Sequence, residues 1–169
     1  METSRLYFRK IDENDFENLK NIISDSETMK YYPTPYDDSG VCRWINWCLA
    51  CYEKRGFGLF VVVLKETDEF IGDCGITLQN INGNEVFEIG YHINKKYWNK
   101  GYATEAAIFM KEYFFNNTNY NEVYSYMNAD NIASRRVAEK NEMKFVEEYI
   151  DGDELLVVYK ITRKEFEKL

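Results

Sequence analysis

Glu88-Ile-Gly-Tyr-His-Ile-Asn-Lys-Lys-Tyr-Trp-Asn-Lys-Gly-Tyr-Ala-Thr-Glu-Ala-Ala107 is the stretch whose reading decides the fold. Its first six residues read as a buried strand, and from Gly101 onward it reads as the start of a helix. Between them lie Lys95, Lys96, Lys100 and two aromatics. A strand, an amide-rich turn and a helix N-terminus in succession make a place to hold a phosphate. The helix end carries about half a positive charge and several unpaired N–H groups. Gly101 lets the backbone approach an oxygen with no Cβ in the way, and Ala103 is small for the same purpose. The plainer reading is a turn glycine ahead of an ordinary amphipathic helix.

The 169 residues read most simply as one domain, 1–169. A chain of this size buries roughly 70% of its unfolded surface. Apolar residues make up 45% and aromatics 17%, which excludes a disordered chain. A net charge of −8 argues against nucleic acid as a partner, since no basic face offsets phosphate repulsion. It suits a cationic acceptor. No apolar run approaches the ~20 residues of a membrane span, and the N-terminus has no signal-peptide core. A cytoplasmic protein without a membrane partner is expected, with Cys42, Cys48, Cys51 and Cys74 reduced.

Taken in order, Arg5–Arg9 alternates as a first strand. Asp12 or Asn14 caps a helix near 14–24. A polar, tyrosine-rich connection covers 25–38, and Asp38 or Ser39 caps a second helix that Gly56 ends. Strands over Phe57–Leu64, Phe70–Leu78 and Glu85–Ile93 read as an antiparallel meander, with Asn82-Gly83 in its second turn. After the helix at Gly101 come a strand at Val123–Asn128 and a helix to Lys140 capped by Asp130 or Asn131. Strands at Lys144–Tyr149 and Glu154–Ile161 close the chain. The order β-α-α-β-β-β-α-β-α-β-β is that of an α+β or mixed α/β domain.

Glu88-Ile-Gly-Tyr, Tyr97-Trp-Asn-Lys-Gly-Tyr-Ala-Thr-Glu-Ala, and Asn131-x-x-Ser134-x-x-Val137-Ala-Glu-Lys together resemble the GNAT N-acetyltransferase superfamily. Its ribosomal-protein-alanine acetyltransferase-like (RimJ/RimL-type) branch is the nearest match. The resemblance implies the GNAT fold, a central, mixed, mostly antiparallel and splayed β-sheet flanked by helices. It also implies acetyl-CoA as co-substrate, bound by a loop of pattern Arg/Gln-x-x-Gly-x-Gly/Ala. Here that loop reads Trp98-Asn99-Lys100-Gly101-Tyr102-Ala103, followed by Thr104, with Trp98 at the usually polar first position.

The implied reaction is attack of a neutral primary amine on the acetyl-CoA thioester. It needs an amine without its proton, donors for the oxyanion and a proton for the thiolate. The resemblance implies that Tyr91, His92 and Ile93 pair with the pantetheine arm, with an amide near Tyr91 or His92 facing the thioester oxygen. Glu88 is the first candidate base, sharing a strand face with Gly90 and His92; the plainer reading is a carboxylate paired with a lysine. Glu148, in the final hairpin, is the second, and a solvated face residue otherwise. A water chain is an alternative to both, and His92, the one histidine, reads more readily as a packing residue. Many members place an acid tyrosine where this chain has Ala138; Ser134 is the substitute, with Asn131 binding pantetheine or capping the helix. Arg135 and Arg136 either meet the coenzyme 3′-phosphate or are solvated. Glu142 stands where members usually have a left-handed glycine.

Cys48-Leu-Ala-Cys51 lies mid-helix and has no matching second ligand pair, so core cysteines rather than a metal site are expected. Glu147, Glu148, Asp151, Asp153 and Glu154 form an acidic hairpin that either solubilises or steers a cation. The tyrosine-rich loop with Tyr31, Tyr32 and Tyr36 would be the opposite wall. The expected function is acetyl transfer from acetyl-CoA to a primary amine, by preference a protein N-terminal amine of ribosomal type. A polyamine or aminoglycoside is the alternative acceptor, and a CoA-binding module with little catalysis the alternative class. A homodimer is compatible with the sequence.

Overall fold

The computed structural model describes residues 1–169. Seven strands form one sheet: β1 (Leu6–Lys10), β2 (Leu59–Leu64), β3 (Glu69–Ile81), β4 (Asn84–Ile93), β5 (Glu122–Asn128), β6 (Lys144–Asp151) and β7 (Glu154–Thr162). Their spatial order is β1-β2-β3-β4-β5-β7-β6. Five helices flank it: α1 (Phe16–Ile23), α2 (Asp38–Arg55), α3 (Tyr102–Asn117), α4 (Ile132–Lys140) and α5 (Arg163–Phe166). Neighbouring strands are antiparallel except β4 and β5, which run parallel. This is the mixed, splayed α/β arrangement expected from the sequence.

The splay has a local cause. β4 and β5 share a single registered pair, Glu88 with Tyr124. Just beyond it Ser125 Oγ donates to the Ile89 carbonyl at 3.1 Å, so a side chain takes the place of the next ladder bond. From there both strands run on without pairing. Alternation along β4 then divides its side chains between two layers. Phe87 packs against Phe114 of α3 and Tyr91 reaches Ser134 of α4. Glu88, Gly90 and His92 face the other way, where His92 meets Trp44 of α2.

Several boundaries differ from the sequence reading, each for a stated reason. Asp37 caps α2, accepting from the Gly40 amide at 2.7 Å, so neither Asp38 nor Ser39 is the cap. Asn131 rather than Asp130 caps α4. The β3–β4 turn is only Asn82-Gly83, both at positive φ (48° and 81°), a two-residue turn that matches strand twist and lets both strands run longer. α5 was not expected. It is one turn, too short for periodicity to reveal, closed by a reciprocal cap between Thr162 and Glu165.

Glu142 sits at φ +60° after α4. It is held there by its neighbours. Buried Asn141 donates to the Ala107 carbonyl at 3.2 Å and accepts from Lys111 Nζ at 3.1 Å, tying the end of α4 to α3. The left-handed conformation costs a residue with a Cβ roughly 1 kcal/mol. Glu142→Gly is therefore expected to raise stability by about 1 kcal/mol, seen as a melting temperature higher by roughly 2–4 °C.

Candidate active site

The loop between β4 and α3 is built from local hydrogen bonds. Asn94 accepts from the Lys96 amide at 3.0 Å and starts a short 3-10 turn over Lys95–Tyr97. Trp98 Nε1 donates to the Ile93 carbonyl at 2.6 Å, folding the indole back on the strand it leaves. Asn99 and Gly101 then take positive φ, 61° and 81°. Gly101 is the N-cap of α3, and no side chain caps that end. The first helical bond runs from Glu105 N to Gly101 O, at 3.0 Å. The amides of Tyr102, Ala103 and Thr104 therefore have no helical acceptor. This is the uncapped, positive helix end expected from residues 98–104.

Arg5 was not foreseen here. Its Nε donates to Glu105 at 2.6 Å and one terminal nitrogen to the Lys100 carbonyl at 3.0 Å. The guanidinium lies 4.5 Å from the centre of the Tyr102 ring, and Glu105 also accepts from Thr3 and the Arg5 amide. The residues just before β1 thus pin the turn. No local pattern signals this, because the partners are 95 to 102 residues apart.

The β5-facing edge of β4 is the second part. Ile89 and Ile93 offer their carbonyls on this edge, and each is taken by a side chain, Ser125 and Trp98. Tyr91 lies between them with the same backbone orientation. The His92 amide points toward β3 and donates to Asp73 Oδ1 at 3.1 Å. Of the two amides considered from sequence, only that of Tyr91 faces the splay. The Tyr91 hydroxyl is 2.7 Å from Ser134 Oγ, and burial pushes the phenol up. Asn131 accepts from the Ser134 amide at 3.1 Å, so its side-chain oxygen is the cap of α4. Arg135 is turned to the Tyr159 hydroxyl and the Ala129 carbonyl, while Arg136 is exposed.

On the other face of β4 sits a polar cluster in an apolar wall. Glu88 is 8% exposed and accepts from Thr77 at 3.2 Å. Burial drives its carboxyl up; Thr77 and His92 offset part of that, and it titrates at about 7. A Cβ at position 90 would come within 2.9 Å of a Glu88 oxygen, so Gly90 is what lets the carboxylate lie over its own strand. His92 pairs across the sheet with Asp73, which is 1% exposed, with Nδ1 at 2.9 Å from Oδ1. Burial pushes the imidazole down, but the Asp73 charge and hydrogen bond and the Glu88 charge outweigh it and leave it raised. Asp73 was missed, although an aspartate inside the apolar run Phe70–Leu78 is a readable signal.

The rings of Tyr32 and Trp44 lie 5.3 and 5.4 Å from His92. Tyr126 of β5 feels the charges of Glu88 and Asp151, and burial raises its phenol. The tyrosine loop and the acidic hairpin thus meet over Glu88, but only half the hairpin takes part. Register places Glu147 and Tyr149 on the Tyr126 face, opposite Val158 and Leu156. Glu148 pairs with Val157 on the α4 face, is exposed, and its charge is felt by Arg135. It stands apart from Glu88, on the opposite face of the sheet. Cys48 and Cys51 are buried and unpaired.

A family model described as "Acetyltransferase (GNAT) domain" matches residues 5–144. The chain belongs to the GNAT acetyltransferases. The acetyltransferase is 32% identical over 158 residues to the uncharacterized protein YkkB of Bacillus subtilis, covering 93% of this chain and 92% of that one. It is 31% identical over 148 residues to the uncharacterized N-acetyltransferase p20 of Bacillus licheniformis, covering 86% and 82%. A solved GNAT-family acetyltransferase from Bacillus anthracis superposes with a TM-score of 0.81 at 28% identity, covering 97% and 98%. The enzyme is an acetyl-CoA-dependent acetyltransferase, and no helix in it is long and apolar enough to cross a membrane.

Two outcomes test the site's geometry. Gly101→Val, a β-branched residue at φ +81°, is expected to weaken acetyl-CoA binding roughly tenfold or more by calorimetry, with Glu88→Gln within about twofold of the parent. Glu88 binds its proton more tightly in the folded chain than at its ordinary value of 4.5. Its contribution to stability is complete below that value and is lost as pH rises through about 7. Glu88→Gln should therefore raise the melting temperature at pH ~8 and leave it nearly unchanged at pH ~5.

Proposed function

We propose that the enzyme acetylates a primary amine brought to Glu88 from the α1–α2 side of the sheet, with a protein N-terminal amine as the preferred acceptor. Glu88 is the general base. The observation that carries this is a buried carboxyl, titrating at about 7, beside the point where β4 and β5 part. A base with that value takes a proton from an ammonium near neutral pH and is still partly ionised to do so. Desolvation by the surrounding tyrosines and Trp44 also lowers the cost of presenting the amine uncharged.

On the opposite face the α3 N-terminus holds the pyrophosphate through the amides of Tyr102, Ala103 and Thr104, with Trp98, Asn99, Lys100 and Gly101 shaping the turn. Tyr91 and Ile93, with His92 between them, line the pantetheine path. The Tyr91 amide is the donor for the thioester oxygen as it gains charge, its strand fixed on either side by Ser125 and Trp98. The Tyr91–Ser134 hydroxyl pair supplies the proton for the departing thiolate, in place of the tyrosine that Ala138 lacks. Tyr91 reaches that spot from the strand instead of from α4. Asn131 holds Ser134 in position.

The test is the pH profile of thiol release with an N-terminal peptide amine. kcat/KM should rise with pH through a value near 7 and then level, because the ionised form of Glu88 is the active one. Glu88→Gln should lower kcat by about 10²–10⁴ and remove that limb. An unchanged limb in Glu88→Gln would assign the base elsewhere.

A further inference from the structure

Three buried polar atoms that have no partner in the protein belong to residues gathered at His92: Trp44 Nε1, His92 Nε2 and Asp73 Oδ2. Buried polar groups are ordinarily hydrogen-bonded, so a group of three in one place needs an explanation. Two of them belong to rings in contact, Trp44 and His92, with centroids 5.4 Å apart at 78°. An indole nitrogen only donates. On His92, the carboxylate of Asp73 at 2.9 Å accepts from Nδ1 and fixes which nitrogen carries the proton there. Nε2 is left without a partner. Protonated, as Asp73 and Glu88 favour, the ring presents a second donor there.

We infer that Trp44 and His92, with Asp73 as the positioning residue behind His92, form an oxygen-binding subsite that selects amines carrying a carbonyl or hydroxyl oxygen beside the amino group. This rests on the reading of the Glu88 face as the acceptor side. A peptide N-terminus offers such an oxygen within three bonds of its nitrogen, and so does an amino sugar. A simple polyamine offers none, and would leave both donors unpaired while adding its own charge to a protonated imidazole. A missing hydrogen bond of this kind discriminates more strongly than lost apolar contact, because the buried groups remain unpaired. Tyr32, 42% exposed and lying over His92, is the part that swings aside on entry.

His92 is the only histidine, so its imidazole resonances need no assignment strategy. The experiment titrates the CoA-bound protein with alaninamide, glucosamine and propylamine while the His92 Nε2 resonance is followed. It then measures kcat/KM for each amine with the parent and with Trp44→Phe. Alaninamide or glucosamine should move the Nε2 resonance and propylamine should not; which of the two acts identifies peptide or sugar as the source. Trp44→Phe should lower kcat/KM for the oxygen-bearing amine roughly tenfold more than for propylamine, chiefly through KM. Asp73→Asn, which removes the facing charge, should lower the pH at which the His92 ring titrates. Equal Nε2 shifts with all three amines, no shift with any, or equal loss on every amine in Trp44→Phe overturns the subsite. Selective shifts with no turnover of any amine would instead overturn the acceptor-side chemistry of Glu88 and leave the subsite standing.

Discussion

One registered pair joins β4 to β5, and the rest of the molecule is arranged around that economy. Parallel strands that stay paired leave no room between them. Here Ser125 ends the ladder with a side-chain bond to Ile89, and Trp98 satisfies the Ile93 carbonyl two pleat repeats further on. Because neighbouring carbonyls are already satisfied, the strand keeps its shape without a partner, and the Tyr91 amide faces an opening. The helix that follows starts at a left-handed glycine with no side-chain cap, so its first amides are free. Strand edge and helix end, proposed as two ends of one binding path, are held together because only eight residues separate Ile93 from Tyr102 and local hydrogen bonds fold them into a fixed turn.

The period of two along β4 then sorts the chemistry. Odd positions face α3 and α4, where the Tyr91 hydroxyl meets Ser134. Even positions face α1 and α2, where Glu88 and His92 lie. In the proposed mechanism these two faces of one strand are the donor and acceptor sides of the reaction. Burial supplies the rest. The low-dielectric wall that raises Glu88 to about 7 also strengthens the Asp73–His92 pair, so both Glu88 and His92 hold a proton to higher pH than they would in water.

Much of this was legible in the sequence where the signal was local. The strand–turn–helix at 88–107, the buried Cys48-x-x-Cys51 and the sharing of one face by Glu88 and His92 follow from spacing and residue type, and the left-handed position of Glu142 follows from the family resemblance. What was not legible depends on register between distant strands. Glu148 looked like part of an acidic wall because five carboxylates cluster in the hairpin; pairing with Val157 turns it to the α4 face, and only alternate members reach Tyr126. Asp73 and Arg5 were overlooked because each acts on a residue far along the chain. The choice between Tyr91 and His92 as amide donor needed the knowledge that Asp73 already holds the second.

The central claim is that the β4 edge and the α3 N-terminus together hold the coenzyme. Amide-resolved hydrogen exchange, with and without CoA, tests it most directly. The account predicts that protection on binding concentrates at the amides of Tyr91, Ala103 and Thr104, with the His92 amide unchanged because it is already bonded to Asp73. Binding that protects other regions and leaves Tyr91 and the first turn of α3 exchanging as before would contradict it.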